Sequence, residues 1–215
     1  MNESKVEVTG FEARHYDTLM NVLSMGSYVP FIKKAISKMD IQPNDRILDL
    51  GGGTGRNSCL MAKYLGDKGS IVGLDIGKEM IEQFEKKCEK YPNVEIQNLR
   101  IDEPLPFENE FDKALLSFVF HGFPDDKKKN IVDNVKKALK PGGALYILDY
   151  NEFDLDKKPL IFRSVFKKFE CPLALDYLKV DWKKRFTDWG FERFQEDYFY
   201  LKIVRLLKAE VGTNK

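Results

Sequence analysis

Long apolar runs are missing from this chain, and so is a surplus of charge of either sign. No hydrophobic stretch approaches the length that a bilayer span requires. The opening residues MNESKVEVTG lack the cationic-then-apolar order of a secretion signal. These absences predict a cytoplasmic protein whose membrane contact, if any, is peripheral. Lysine and arginine number 35 against 34 aspartates and glutamates, so no net field draws the chain to nucleic acid or acidic lipid. Its lysine pairs, from Lys33-Lys34 to Lys183-Lys184, read as solvated helix faces. Cysteine is scarce: Cys59, Cys88 and Cys171 form no C-x-x-C pair and are odd in number. That count suggests neither a disulfide framework nor a zinc site, and it suits a reducing compartment.

What is present is organised around Arg46 to Gly55, RILDLGGGTG. Ile47, Leu48 and Leu50 form a short apolar run that breaks into three consecutive glycines, the pattern of a buried strand entering a tight turn. Leu60, Met61, Tyr64 and Leu65 then recur at helical spacing. Such a strand, glycine loop and helix bring backbone N–H groups up to a polar or anionic ligand group: a phosphate, a pyrophosphate or a carboxylate. A phosphate-cradling P-loop would need Lys and then Ser or Thr after its last glycine, whereas Gly55 is followed by Arg56-Asn57-Ser58. A dinucleotide fingerprint would place its third glycine at Arg56. Asp49 would also set a negative charge near a pyrophosphate. These departures disfavour NAD and leave room for a ligand that carries its own positive charge.

The run Asp49-Leu50-Gly51-Gly52-Gly53-Thr54-Gly55 resembles the first motif of class I S-adenosylmethionine-dependent methyltransferases. The resemblance implies that the backbone of Gly51, Gly52, Gly53 and Gly55 meets the amino acid end of S-adenosylmethionine, and that Asp49 helps to orient its ammonium group. HYDTLMNVLSMG resembles the N-terminal segment of the ubiquinone/menaquinone biosynthesis C-methyltransferases through Tyr16-Asp17 and Ser24-Met25-Gly26. That likeness implies cap helices over residues 1–40, with Tyr16 lining the cofactor pocket and Asp17 near the reacting centre.

Downstream, Ser70 to Ile76 reads as a second buried strand, and a helix follows with Met80, Ile81, Phe84 and Cys88 on one face. A right-handed crossover sets this strand beside the first, so Asp75 and Ile76 reach the glycine loop. There Asp75 can accept two hydrogen bonds from a ribose diol, or it can cap the next helix. A third strand is expected from Val94 to Leu99. The following Ile101-Asp102-Glu103-Pro104-Leu105-Pro106-Phe107 aligns with a methyltransferase segment that contacts adenine, which implies adenine contacts at Ile101 and Asp102. The fourth strand, Lys113 to Phe120, ends at His121-Gly122-Phe123-Pro124. In a doubly wound sheet of order 3-2-1-4-5 its carboxyl end opens a crevice beside the first strand, so Ser117, Phe118 and His121 face the glycine loop. The quinone enzymes carry an Arg-Asn pair where this chain has His121-Gly122.

A helix from Lys127 to Leu139 stops at Lys140-Pro141-Gly142-Gly143, and a fifth strand follows from Ala144 to Tyr150. Phe191 to Tyr198 and Leu201 to Lys208 are joined too closely for a crossover and form an antiparallel hairpin. The expectation is a single α/β domain: cap helices, a cofactor core over 41–150, a helical lid over 151–190 and a hairpin over 191–210. With the resemblance, this becomes a doubly wound Rossmann-like sheet of seven strands, six parallel and the last antiparallel. Phe162, Val165, Phe166 and Phe169 share a helical face in the lid beside Arg163, Lys167 and Lys168, which suits a lid packed on the domain or a membrane surface.

The implied function is methyl transfer to a small-molecule acceptor, a quinone precursor or another aromatic or lipophilic metabolite, with His121 and Asp17 as catalytic candidates and no metal. The alternatives are an NAD-binding oxidoreductase of the same fold and a non-catalytic S-adenosylmethionine-binding module. No basic cluster or recognition motif supports a nucleic acid substrate.

Overall fold

A computed structural model describes residues 27–212. Seven strands form one sheet in the order β3-β2-β1-β4-β5-β7-β6. They are β1 (Arg46–Leu50), β2 (Ser70–Asp75), β3 (Val94–Asn98), β4 (Phe111–Ser117), β5 (Leu139–Tyr150), β6 (Phe191–Phe199) and β7 (Val204–Val211). β1 pairs in parallel with β2 and β4, β2 with β3, and β4 with β5. β7 runs antiparallel to both β5 and β6. The expected six parallel strands and one antiparallel strand are therefore present, closed by the expected hairpin.

Both faces of the sheet are covered, which is why its central strands read as continuous apolar runs. Alternate residues divide between two cores, as the two-residue period of a strand requires. Leu48 and Leu50 of β1 join Leu74, Leu116 and Ile147 on one face. Ile47 joins Ile71, Leu115 and Tyr146 on the other. The first face is covered by α4 (Asp125–Ala138), through Ile131, Val132 and Val135, and by Trp182 and Phe186 of α7 (Trp182–Asp188). The second is covered by α1 (Tyr28–Ile36), through Phe31, Ile32 and Ala35, and by Met61 of α2 (Arg56–Met61). α1 contains Pro30 in its first turn, where a missing backbone N–H costs no hydrogen bond. Residues 151–190, expected as a lid, contain α5 (Leu160–Phe169), α6 (Pro172–Tyr177) and α7. No described helix is long and apolar enough to cross a membrane.

Several local readings differ from the sequence expectation: the fourth strand, expected to run to Phe120, ends at Ser117, and the last strand, expected over Leu201 to Lys208, spans Val204–Val211. The helix expected to begin at Lys127 begins at Asp125, where two aspartates in its first turn interact favourably with the helix dipole. β5 begins at Leu139, before the Pro-Gly-Gly stop, because Leu139 pairs with Phe111 across a register shift. Most consequentially, Cys59 and Cys88 are joined in a disulfide, although the spacing suggested no pair. α2 and α3 (Lys78–Cys88) lie side by side, with the two Cα atoms 5.6 Å apart. An odd count without a motif cannot reveal two cysteines brought together by a crossover 29 residues long.

Gly55, at the start of α2, has φ of +79°, and a Cβ there would lie 2.9 Å from the Phe84 ring of α3. Gly142 has a similar φ of +78° with open space around it. Gly55→Ala should therefore cost about 1–3 kcal/mol of overpacking beyond the backbone strain that Gly142→Ala carries. Denaturant unfolding of the two variants tests this, and equal losses would remove Phe84 as the reason for the glycine.

Candidate active site

The glycine loop is shaped by what lies on both sides of it. Gly51 and Gly52 both donate from their backbone N–H to the Leu74 carbonyl, at 2.8 and 2.9 Å, which folds the loop onto the end of β2. Gly51 has φ of +76°, and a Cβ there would lie 2.6 Å from Val119. A side chain would thus block the crevice between β1 and β4. Gly53 is different. The nearest atom to a Cβ built there is 4.0 Å away, so its backbone is open to a ligand. Asp75, half-buried at the end of β2, accepts from Gly53 N at 2.8 Å and Gly77 N at 2.9 Å. One carboxylate thereby fixes the loop to the entry of α3, and each of its oxygens keeps a lone pair.

A cavity of about 290 Å³ opens over this loop, at the carboxyl ends of β1, β2 and β4. Gly51, Gly52, Gly53, Asp75, Ile76, Ile101, Asp102, Ser117, Phe118 and His121 all line it, so residues up to 70 positions apart in the chain meet at one site. Burial pushes the Asp102 carboxyl up, but Arg100 and Lys127, at 3.1 and 3.2 Å, outweigh it and hold the group below the usual carboxylate range. Ser117 Oγ is buried without a hydrogen-bond partner among the described residues, and this is a polar group that a ligand can satisfy. Phe118 is held at φ of +54° with its N–H donated to Leu148 O, a strained geometry that turns the chain into the cavity wall.

His121 stands at the far side of the cavity between two carboxylates. Its Nδ1 lies 2.7 Å from Asp149 Oδ1, and its backbone N–H donates to Asp149 Oδ2 at 3.1 Å. Asp149 is buried at the end of β5 and also accepts from Tyr150 N. On the ring's other edge, Nε2 lies 3.5 Å from Glu170 Oε2, while Tyr150 Oη donates to Glu170 Oε1 at 2.5 Å. Burial favours the neutral imidazole, yet the Asp149 charge and hydrogen bond, helped by Glu170, outweigh it and raise the His121 pKa above its usual 6.5. The sequence reading did not select Asp149 or Glu170 as site residues. Asp149 was legible in principle, since β5 neighbours β4 and places an acid beside His121. Glu170 had no such signal, because only the folded lid brings it to the cavity.

Two expected contacts are absent from the cavity wall. Asp49 lies behind the loop, fully buried, and accepts from Ser58 Oγ at 2.6 Å. Burial, and more weakly the Asp75 charge, push its pKa up to about 6 against the lowering effect of Ser58. Gly55 likewise does not line the cavity and instead admits Phe84. Tyr16 and Asp17 lie outside the described residues.

Residues 47–143 match the family described as a methyltransferase domain. The chain is 27% identical over 173 residues to a demethylmenaquinone methyltransferase of Lysinibacillus sphaericus, covering 78% of this chain and 73% of that protein. It is 33% identical over 150 residues to a ubiquinone/menaquinone biosynthesis C-methyltransferase of Wigglesworthia glossinidia brevipalpis, covering 66% of this chain and 58% of that one. Among solved structures, it shares its fold with a SAM-dependent methyltransferase from Aquifex aeolicus, at a TM-score of 0.62 and 21% identity over 84% of this chain and 89% of the other. The CurJ carbon methyltransferase is similar at a TM-score of 0.70 and 19% identity, over 94% of this chain and 60% of that one.

The loop, the open backbone at Gly53, the free lone pairs of Asp75 and the unsatisfied Ser117 hydroxyl together fit an adenosyl amino acid. If Asp75 accepts from a ribose diol, its two charge-assisted bonds contribute roughly 2–4 kcal/mol. Asp75→Ala should then weaken S-adenosylhomocysteine binding by tens-fold or more in calorimetry while the protein remains folded by circular dichroism. An unchanged dissociation constant in the folded variant would exclude Asp75 from the ligand site.

Proposed function

We propose that this chain, which carries the methyltransferase domain matched at 47–143, is a class I S-adenosylmethionine-dependent methyltransferase that methylates a small aromatic or lipophilic acceptor of the quinone-precursor type. The names of its relatives support this reading. So does Phe118, which lines the cavity with His121 and is backed by Tyr150, 6.1 Å from Phe118 and 5.3 Å from the imidazole between ring centroids. The NAD-dependent alternative finds no support among these relatives.

S-adenosylmethionine, when bound, supplies a methyl group on a positively charged sulfur. The glycine loop and Asp75 would hold and orient it, and Ser117 and Phe118 would close its flank. Orientation is the main service such a site offers to a displacement reaction. The remaining need is proton removal: methylation of a phenolic ring carbon forms the new C–C bond as the methyl leaves sulfur and loses one proton overall, and taking the hydroxyl proton makes the ring carbon a stronger nucleophile.

The observation that carries the reading is the His121–Asp149 pair at the cavity wall. Asp149 accepts from Nδ1–H, which fixes the neutral tautomer and leaves Nε2 as the basic atom on the side away from Asp149. His121 then serves as the general base, with Asp149 as the positioning residue. A raised pKa makes His121 a stronger base and also keeps it protonated to higher pH. The reactive neutral form is therefore lost as pH falls through that raised value, and the acidic limb of the rate profile should lie above pH 6.5.

His121→Gln should lower the single-turnover rate roughly 10²-fold or more, with S-adenosylhomocysteine affinity little changed and the acidic limb abolished. Rates of both proteins with a demethylmenaquinol analogue, measured from acid to alkaline pH at saturating cofactor, check this. A variant with the wild-type rate and limb would place the base elsewhere.

A further inference from the structure

Seven large apolar side chains are exposed among the described residues, and six of them fall in two short segments. Leu160, Ile161 and Val165 are 75, 81 and 50% exposed on α5, and Tyr198, Tyr200 and Leu201 are exposed at the turn joining β6 to β7. The core elsewhere buries its aliphatics almost completely, so these two segments are exceptions with a shared location. α5 uses its opposite face for packing: Phe166 is buried and lies 5.0 Å from Tyr150 and 6.1 Å from Phe153 between ring centroids. The outward aliphatics are therefore not required by the contact of the lid with the domain.

Both segments lie near the carboxyl end of β5, where Phe166 of α5 packs on Tyr150. The β6–β7 turn is tied to the point where β5 leaves the sheet for the lid, since Asn151 N donates to Ile203 O at 2.8 Å and Asn151 Nδ2 to Lys202 O at 3.1 Å. Glu170, directly after α5, lines the cavity. Within α5 itself the charge is one-sided. From Lys157 to Phe169 the chain carries five cations and no acid, against a net charge of +1 for the whole protein. Lys157 and Arg163 meet Asp154 and Asp156 at 3.5 and 2.6 Å, and Lys167 lies exposed beside the aliphatics.

We propose that the outer face of α5 and the β6–β7 turn form a docking surface for an anionic lipid bilayer. Leu160, Ile161 and Val165 enter the acyl boundary, and the lysines lie at the headgroup level. The charge pattern selects this occupant over a second copy of the chain, because self-pairing through one face would set lysines against lysines. Docking places the cavity mouth beside the phase in which a lipophilic acceptor would dissolve. The binding itself is independent of which acceptor is used, and its test does not require turnover.

Co-sedimentation of the full chain with vesicles of phosphatidylcholine alone, and of phosphatidylcholine mixed with phosphatidylglycerol, tests the surface directly. The protein should pellet with the anionic vesicles and not with the neutral ones. Ile161→Asp, at a side chain with almost no packing to lose, and Lys167→Glu should each weaken that binding about tenfold or more, with unchanged thermal midpoints. Failure to pellet with anionic vesicles, or equal pelleting of wild type and Ile161→Asp, would overturn the proposal. A concentration-dependent dimer abolished by Ile161→Asp would also overturn it and give the face to a second copy.

Discussion

The Phe84 ring of α3 occupies space that three side chains would otherwise need. A Cβ at Gly52, Gly55 or Gly73 would fall 3.2, 2.9 or 2.8 Å from it. One aromatic side chain thus sets how closely α3 approaches β2, the glycine loop and the start of α2. The Cys59–Cys88 bond and the Lys87 Nζ donation to Thr54 Oγ1 at 2.8 Å bind the same helices together. With α3 held there, Asp75 can reach both Gly53 and Gly77, and the loop is presented to the cavity in one conformation. The rest of the site depends on that fixed floor.

Acidic groups are concentrated around the floor and the wall. Asp75 and Asp102 line the cavity, Glu170 closes it from the lid, Asp49 lies beneath the loop and Asp149 stands behind His121. A cationic sulfonium and an ammonium group can pair with such carboxylates, and Arg56 and Arg100 line the same cavity, Arg100 already paired with Asp102. The same acids account for the behaviour of His121. Burial alone would leave it neutral, but two flanking carboxylates hold it as a stronger base than an isolated imidazole. Lys128, buried against the Tyr177 and Trp182 rings, limits this effect, and its own pKa is lowered by burial despite the pull of Asp125 and Asp149.

The sheet was legible because it follows from local rules. Apolar runs bounded by glycine, a right-handed crossover and a switch point between β1 and β4 suffice to bring Gly51, Asp75, Ser117 and His121 to one edge. Side-chain roles within the motif were less legible. Gly55 and Asp49 belong to the same run as Gly53, yet one serves helix packing and the other is covered, and only the position of Phe84 and the depth of the strand distinguish them. The disulfide and Glu170 were not legible at all, since each depends on the docking of one element against another rather than on spacing along the chain.

The central claim is that this loop and its acidic surroundings hold an adenosyl amino acid and not a dinucleotide. Isothermal titration of the purified protein with S-adenosylhomocysteine, followed by the same titration in the presence of excess NAD, measures this most directly. Saturable binding of S-adenosylhomocysteine that NAD leaves unchanged is the predicted result. Displacement by NAD, or tighter binding of NAD than of S-adenosylhomocysteine, would contradict it.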